Sequence, residues 1–316
     1  MKNIAFFGRN IQMRPALIAV VTLWLAYCIL SILAPSSGAE ERYHITSLRL
    51  AFLQGTFFIP LLVIWLAAMF AIVRFVRYTS IIEGSPESAG FKKLCYGLRA
   101  LFLVLIIPSF INLVAMYNPE SGAADKYTSI VRNYSTIVLY LFAFWQLWHG
   151  SKILNITSTK EQGSAPKARI IAFVITATLS AVYVWLIFQN PFRTSSTDLL
   201  VKPAYYLPDW LIVLTIIIPY IAIWTMGSVA VINLIAFAKR VPGIMYRRAI
   251  LWVSWGLSLI VLLLVALQLL NQLGGYFGRA KLETLLGIIY LLLLVMVVTY
   301  LFIARGARAL TALEEV

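Results

Sequence analysis

The chain predicts an all-α integral membrane protein of eight transmembrane helices, arranged as a parallel 4+4 internal repeat with both termini cytoplasmic. Three observations lead there. Hydrophobic residues make up 61% of the 316 and charged residues only 12%, whereas a soluble domain carries about half and about a quarter. Eight apolar stretches approach or exceed the roughly 20 residues needed to cross hydrocarbon. Finally, residues 48–117 align without a gap onto residues 207–276, with fourteen of the seventy positions identical.

The spans fall at about 16–33, 51–73, 94–116, 133–150, 170–188, 210–235, 250–271 and 283–304. Lys2, Arg9 and Arg14 ahead of the first could mark a signal peptide, but the apolar run is long for one. Ile18-Ala19-Val20-Val21-Thr22 also resembles Ile171-Ala172-Phe173-Val174-Ile175-Thr176 at the start of span five, so each repeat opens with this helix. Tyr140-Leu141-Phe142 in span four fits Tyr300-Leu301-Phe302 in span eight with one residue of slippage. The first repeat then covers residues 1–157 and the second 169–316, with the polar loop 158–168 as hinge. An even number of spans per copy makes the repeat parallel, about an axis along the membrane normal.

Orientation comes from Lys and Arg, which are retained in short cytoplasmic loops. With the N-terminus inside, the cytoplasmic segments hold eighteen of the 26 against five Glu, a net of +13. The outer loops hold eight against seven acids, a net of +1. The basic excess is a topology signal of the plasma membrane and not a nucleic-acid footprint. It also offers anionic lipid headgroups a cytoplasmic contact through Lys92, Lys93, Arg247 and Arg248. Arg99, the one charge well inside a span, either snorkels to the interface or meets an anion or headgroup within the bundle.

The identities select the candidate cavity or helix-contact residues. Pro60 and Pro219 lie about two turns below the outer ends of spans two and six, where proline kinks a helix. Thr56 and Thr215, four residues earlier, are placed to satisfy the freed carbonyls. Trp65 and Trp224 lie mid-span, away from the headgroup belts where membrane tryptophans concentrate, and a buried indole wants an acceptor. Asn112 and Asn271, one turn inside the outer ends of spans three and seven, form the sharpest polar pair, and Gln54, Gln268 and Gln272 lie at similar depth. Further down spans two and six, Ala68 and Ala71 match Gly227 and Ala230, small residues that let helices approach closely.

Several chemistries lose their usual groups. No Asp or Glu lies inside a span, so buried-acid ion coupling and aspartyl proteolysis lack a carrier. His44 and His149 sit on opposite sides of about 30 Å of hydrocarbon, so they share no metal or haem. Lys281 lies in an outer loop, which leaves a retinal Schiff base no attachment in the last two spans, and Walker A and Rossmann glycine patterns are absent. Cys28 and Cys95 sit at different depths. The expectation is a protein with no cofactor, no metal and no enzymatic activity. Its paired prolines, tryptophans and asparagines fit a permease or channel for a neutral or amphipathic solute. The alternative is a non-transporting sensor, assembly factor or scaffold that acts through a membrane-protein partner or lipid.

Overall fold

The computed structural model describes residues 13–33, 47–116, 122–157, 166–189, 209–274 and 282–314, and among these every regular element is helical. The helices are α1 (Met13–Leu33), α2 (Ser47–Ile81), α3 (Ser88–Met116), α4 (Gly122–Thr157), α5 (Pro166–Gln189), α6 in three consecutive pieces (Asp209–Ile212, the π-helical Val213–Ile217, and Ile218–Arg240), α7 (Ile244–Gly274) and α8 (Leu282–Glu314). Both chain ends and most of the hinge expected at 158–168 lie outside the described residues. The remainder of that hinge, Pro166-Lys167-Ala168, opens α5 instead, because proline at a helix's first position loses no hydrogen bond that the helix would make.

Among the described residues, six segments are long and apolar enough to cross a membrane: 14–31, 58–81, 88–111, 213–240, 244–269 and 290–313. They are the helices of a multi-pass membrane protein. In α5 the described apolar segment, Phe173–Leu186, is shorter, and α4 does not reach the threshold. The reason in α4 is compositional. Its Tyr, Trp, Gln and His side chains lower the hydropathy, and the helix packs against α3 on one side and α6 on the other, so less of it needs to suit lipid. The helices also outrun the apolar stretches. α2 continues from 73 to Ile81 through Arg74 and Arg77, since arginine is a good helix former and its guanidinium reaches water from below the interface.

Neighbouring helices pack α3 on α4, α4 on α6, α6 on α7, α7 on α8, α8 on α2 and α2 on α3, a closed ring of six. The outer helix α1 rests on α2 and α3, and α5 on α6 and α7. Glycines bring the ring's backbones together. A Cβ on Gly150 would sit 2.7 Å from Gly90 O, and one on Gly306 would sit 2.6 Å from Ala249 O. Similarly, a Cβ on Gly97 would meet Leu147 Cγ at 2.6 Å, and one on Gly256 would meet Ile303 Cγ1 at 2.5 Å. The turns after α2 and α6 use glycine for a different reason. Gly84 and Gly243 hold φ of +94° and +101° with open space around the missing Cβ, so backbone conformation alone requires them.

Candidate functional site

The sequence directs attention to the ring's centre, and there the described side chains leave little space. Leu101, Leu105, Tyr140, Ile260, Leu264, Met296 and Tyr300, from α3, α4, α7 and α8, surround a cavity of about 10 Å³. That is at the lower limit of what one water molecule occupies, about 10–15 Å³.

Of the two roles expected for Trp65 and Trp224, cavity lining or helix contact, their burial to 0% and 1% exposure fits helix contact. Each is covered from an outer helix by a tyrosine. Tyr27 of α1 lies 6.1 Å from Trp65 between centroids, and Tyr183 of α5 lies 5.3 Å from Trp224. Both indole Nε1 atoms are buried without an acceptor, a cost of about 1–3 kcal/mol each. By contrast, Trp24 of α1 donates through Nε1 to Phe58 O at 2.8 Å, pinning α1 to α2 just before Pro60.

The two prolines behave differently. α2 passes through Pro60 as one uninterrupted α-helix. In α6 the π-helical turn Val213–Ile217 precedes Pro219, which has no N–H to offer the preceding turn, so the bonding there widens. Thr215 does not serve the carbonyl that proline frees; its Oγ1 donates to Leu211 O at 2.7 Å and accepts from Tyr134 Oη at 2.9 Å. The side chains of Thr56, Asn112 and Asn271 lie outside the described residues, as do those of Gln54 and Gln272. Ala68 and Gly227 are buried, and a Cβ on Gly227 would strike Val261 Cγ2 at 2.6 Å and Phe144 Cε1 at 2.8 Å. Close packing accounts for those small residues.

The Tyr134–Thr215 bond begins a polar seam between α4 and α6 that the sequence did not single out. Towards the basic end, Asn233 Nδ2 donates to Ser151 Oγ at 3.4 Å, and Arg240 Nη1 donates to Asn155 Oδ1 at 3.0 Å. Residue numbers rise together on both helices, so α4 and α6 run parallel. The 21 residues from Tyr134 to Asn155 span about 31 Å at 1.5 Å per residue.

No protein-family model, curated protein or solved structure matches this chain.

At the basic end the candidate cations for which a contact is seen each have their own. Arg99 is exposed, with its guanidinium 5.7 Å from the Tyr96 ring centroid. Its side chain also interacts with the buried Cys95 thiol one turn earlier. Lys92 pairs with Glu83 at 2.8 Å, both side chains about half exposed, an arrangement worth about 0–1 kcal/mol. Arg247 donates from Nε to Ala238 O and from Nη2 to Lys239 O, capping the last turn of α6. Arg248 is exposed and Lys93 half-buried.

The larger space at this end is a cavity of about 290 Å³ between the α2–α3 turn and the first turn of α7. Tyr78, Glu83, Ser85, Glu87 and Tyr246 line it, with Ile81 and Ile82. Tyr78 Oη and Tyr246 Oη are hydrogen-bonded at 2.6 Å. Its one hint in the sequence is Gly84 in the α2–α3 turn, one of the fourteen identities; tyrosines distant in sequence carry no local sign that they meet.

Proposed function

We propose that the protein is a non-transporting module of the plasma membrane, acting by binding another membrane protein or lipid. The observation that carries this reading is the closed centre, where apolar side chains leave about 10 Å³. A permease has a path or an occluded solute site at that place, and no charged group faces it. Lipid and a membrane-protein partner are the ligands such a bundle offers its surface to, with anionic headgroups at the basic end favoured by the +13 excess.

The module is built, in this proposal, from two parallel four-helix repeats with all eight helices spanning and both ends cytoplasmic. Packing supports it. α2 meets α8 as α6 meets α4, α3 meets α4 as α7 meets α8, and α1 and α5 take like positions. Gly84 matches Gly243, Tyr27 on Trp65 matches Tyr183 on Trp224, and the Gly150–Gly90 approach matches Gly306–Ala249. The parallel run of α4 beside α6 carries the fourth helix across about 31 Å. Matching Gly150 to Gly306 and Leu147 to Ile303 moves the expected Tyr140–Tyr300 register by one helical turn. Phe144 is then the counterpart of Tyr300, and Met296 of Tyr140. The four-residue error keeps the same helix face, which is why the Tyr-Leu-Phe pattern fits either way.

A permease for a neutral or amphipathic solute is the second reading, supported by the 290 Å³ cavity at the basic end, with the packed centre as its closed gate. Cysteine accessibility separates the two. In a background with Cys28→Ser and Cys95→Ser, Leu105→Cys and Leu264→Cys in sealed proteoliposomes should stay unlabelled by a charged thiol reagent from either side. Labelling at either position would establish an aqueous path and retire the non-transporting reading.

A further inference from the structure

We propose that a belt of cation–ring pairs around the basic end binds the phosphates of anionic phospholipids in the adjoining leaflet. Arg305 of α8 lies over the Trp252 ring of α7, 4.5 Å from its centroid, and that ring stacks on Phe302 at 4.8 Å. On α2 Arg74 reaches the Phe70 ring at 5.1 Å, on α3 Arg99 reaches Tyr96 at 5.7 Å, and on α4 Lys152 reaches Trp148 at 5.6 Å. Contacts between the helices put the four pairs at one height. Phe91 of α3 meets Phe75 and Tyr78 of α2, and Gly90 of α3 approaches Gly150 of α4. Tyr78 bonds to Tyr246 of α7, and Gly306 of α8 approaches Ala249 of α7. Along each helix from these contacts, the four cationic groups fall within about six residues, a rise of ~9 Å. That is close to the depth of one headgroup layer, about 5–8 Å.

The pairs sit on five helices of the ring, so their ligand surrounds the bundle, as a layer of headgroups does and a single bound molecule does not. The distance to the far side agrees. Uncharged residues fill 50–73 before Arg74 and 284–304 before Arg305, about 32–36 Å of helix against about 30 Å of hydrocarbon. Trp145 and Trp255, both more than half exposed, lie at the belt or just inside it, where membrane tryptophans concentrate. Arg305 and Lys152 are exposed and, among the described residues, meet a ring and no carboxylate. A ring beneath a guanidinium steadies it and leaves its edge N–H groups for a phosphate. Choline balances its own phosphate, so this surplus of cations favours a lipid of net negative charge. The belt rests on the reading of lipid as a partner and is independent of whether the ring's centre ever opens. The helix ends beyond it, with the turns at Gly84 and Gly243, stand in water.

The test titrates the full chain in detergent with phosphatidylglycerol and follows the thermal unfolding midpoint. The midpoint should rise, and Arg305→Gln and Lys152→Gln should each weaken the apparent affinity about fivefold. Trp252→Leu keeps every charge and should still weaken it, about two- to fivefold, because Arg305 loses its support. Midpoints without lipid, expected within a few degrees of wild type, verify folding. No rise, an equal rise with phosphatidylcholine or inorganic phosphate, or an undiminished response in the three variants overturns the proposal. Depth is read separately in proteoliposomes, in a Cys28→Ser and Cys95→Ser background, with a charged thiol reagent on both sides. Met245→Cys, beyond the belt, should label, and Leu301→Cys, on its hydrocarbon side, should not. Labelling of Leu301→Cys or protection of Met245→Cys puts the headgroups at another height and overturns the belt. Both positions are exposed on the bundle's outside, so their outcome is distinct from that at Leu105→Cys and Leu264→Cys.

Discussion

The seams α4–α6 and α2–α8 have like positions in the ring and different chemistry. Along α4–α6, side chains bond across the interface: Tyr134 to Thr215, Asn233 to Ser151, Arg240 to Asn155. In the helices of the α2–α8 pair the buried positions include Ile64, Trp65, Ala68, Ala71 and Phe75 of α2 and Tyr300, Ile303, Ala304, Ala307 and Leu310 of α8. The buried threonines of α8 turn inward, Thr299 Oγ1 donating to Val295 O and Thr311 Oγ1 to Ala307 O, both within their own helix. Two helices in lipid gain no hydrophobic driving force from meeting each other, so shape holds them together and polar pairs choose the register. One seam is thus pinned in register by side-chain bonds, while the buried threonines described on the other bond within their own helix.

The comparison breaks most readily at the glycines. Gly150→Leu and Gly306→Leu each drive a side chain into backbone atoms, and each should cost about 3 kcal/mol or more, seen as loss of the folded monodisperse species in detergent. Tolerance of one and not the other would mean that α3–α4 and α7–α8 are not packed alike. A double-mutant cycle on Asn233→Leu and Ser151→Ala should return a coupling of about 0.6 kcal/mol, no more than about 1.7. Thr311→Val on the other seam should change the thermal midpoint little, since no cross-helix bond is lost. Trp65→Phe and Trp224→Phe exchange lost ring volume for removal of an orphan donor, so both should fall within about 1 kcal/mol of wild type; a loss above 3 kcal/mol at either would reveal an acceptor for that indole. Smallest is Arg99→Gln, whose exposed guanidinium should leave stability within about 0.5 kcal/mol.

The long apolar helices were legible because hydropathy reports directly on lipid. The turns at Gly84 and Gly243 and the close approaches at Gly97 and Gly256 are visible as identities between the aligned segments. Of the α4–α6 seam only Thr215 was visible, as the counterpart of Thr56; the rest was not, for a physical reason: those residues sit opposite chemically different ones. Asn233 aligns with Arg74, and Ser151 takes the place that Ala307 holds on α8, so a search for sameness passes over them. Trp65 and Trp224 were found as candidates for a cavity or a helix contact, and an indole mid-span is consistent with either until its neighbours Tyr27 and Tyr183 are in place. The Tyr78–Tyr246 bond joins residues 168 apart and left no local trace.

The sequence by itself determined a helical chain that must lie in lipid, with its positive charge gathered at one end and its turns set by glycine, because these follow from transfer free energies and backbone conformation, which act residue by residue. Only the tertiary structure decided that the centre is packed shut, that one seam is polar and the other apolar, and that a cavity lined by carboxylates opens within a basic face. Those depend on which side chains from distant helices meet, and a helix surface alone does not specify its partner.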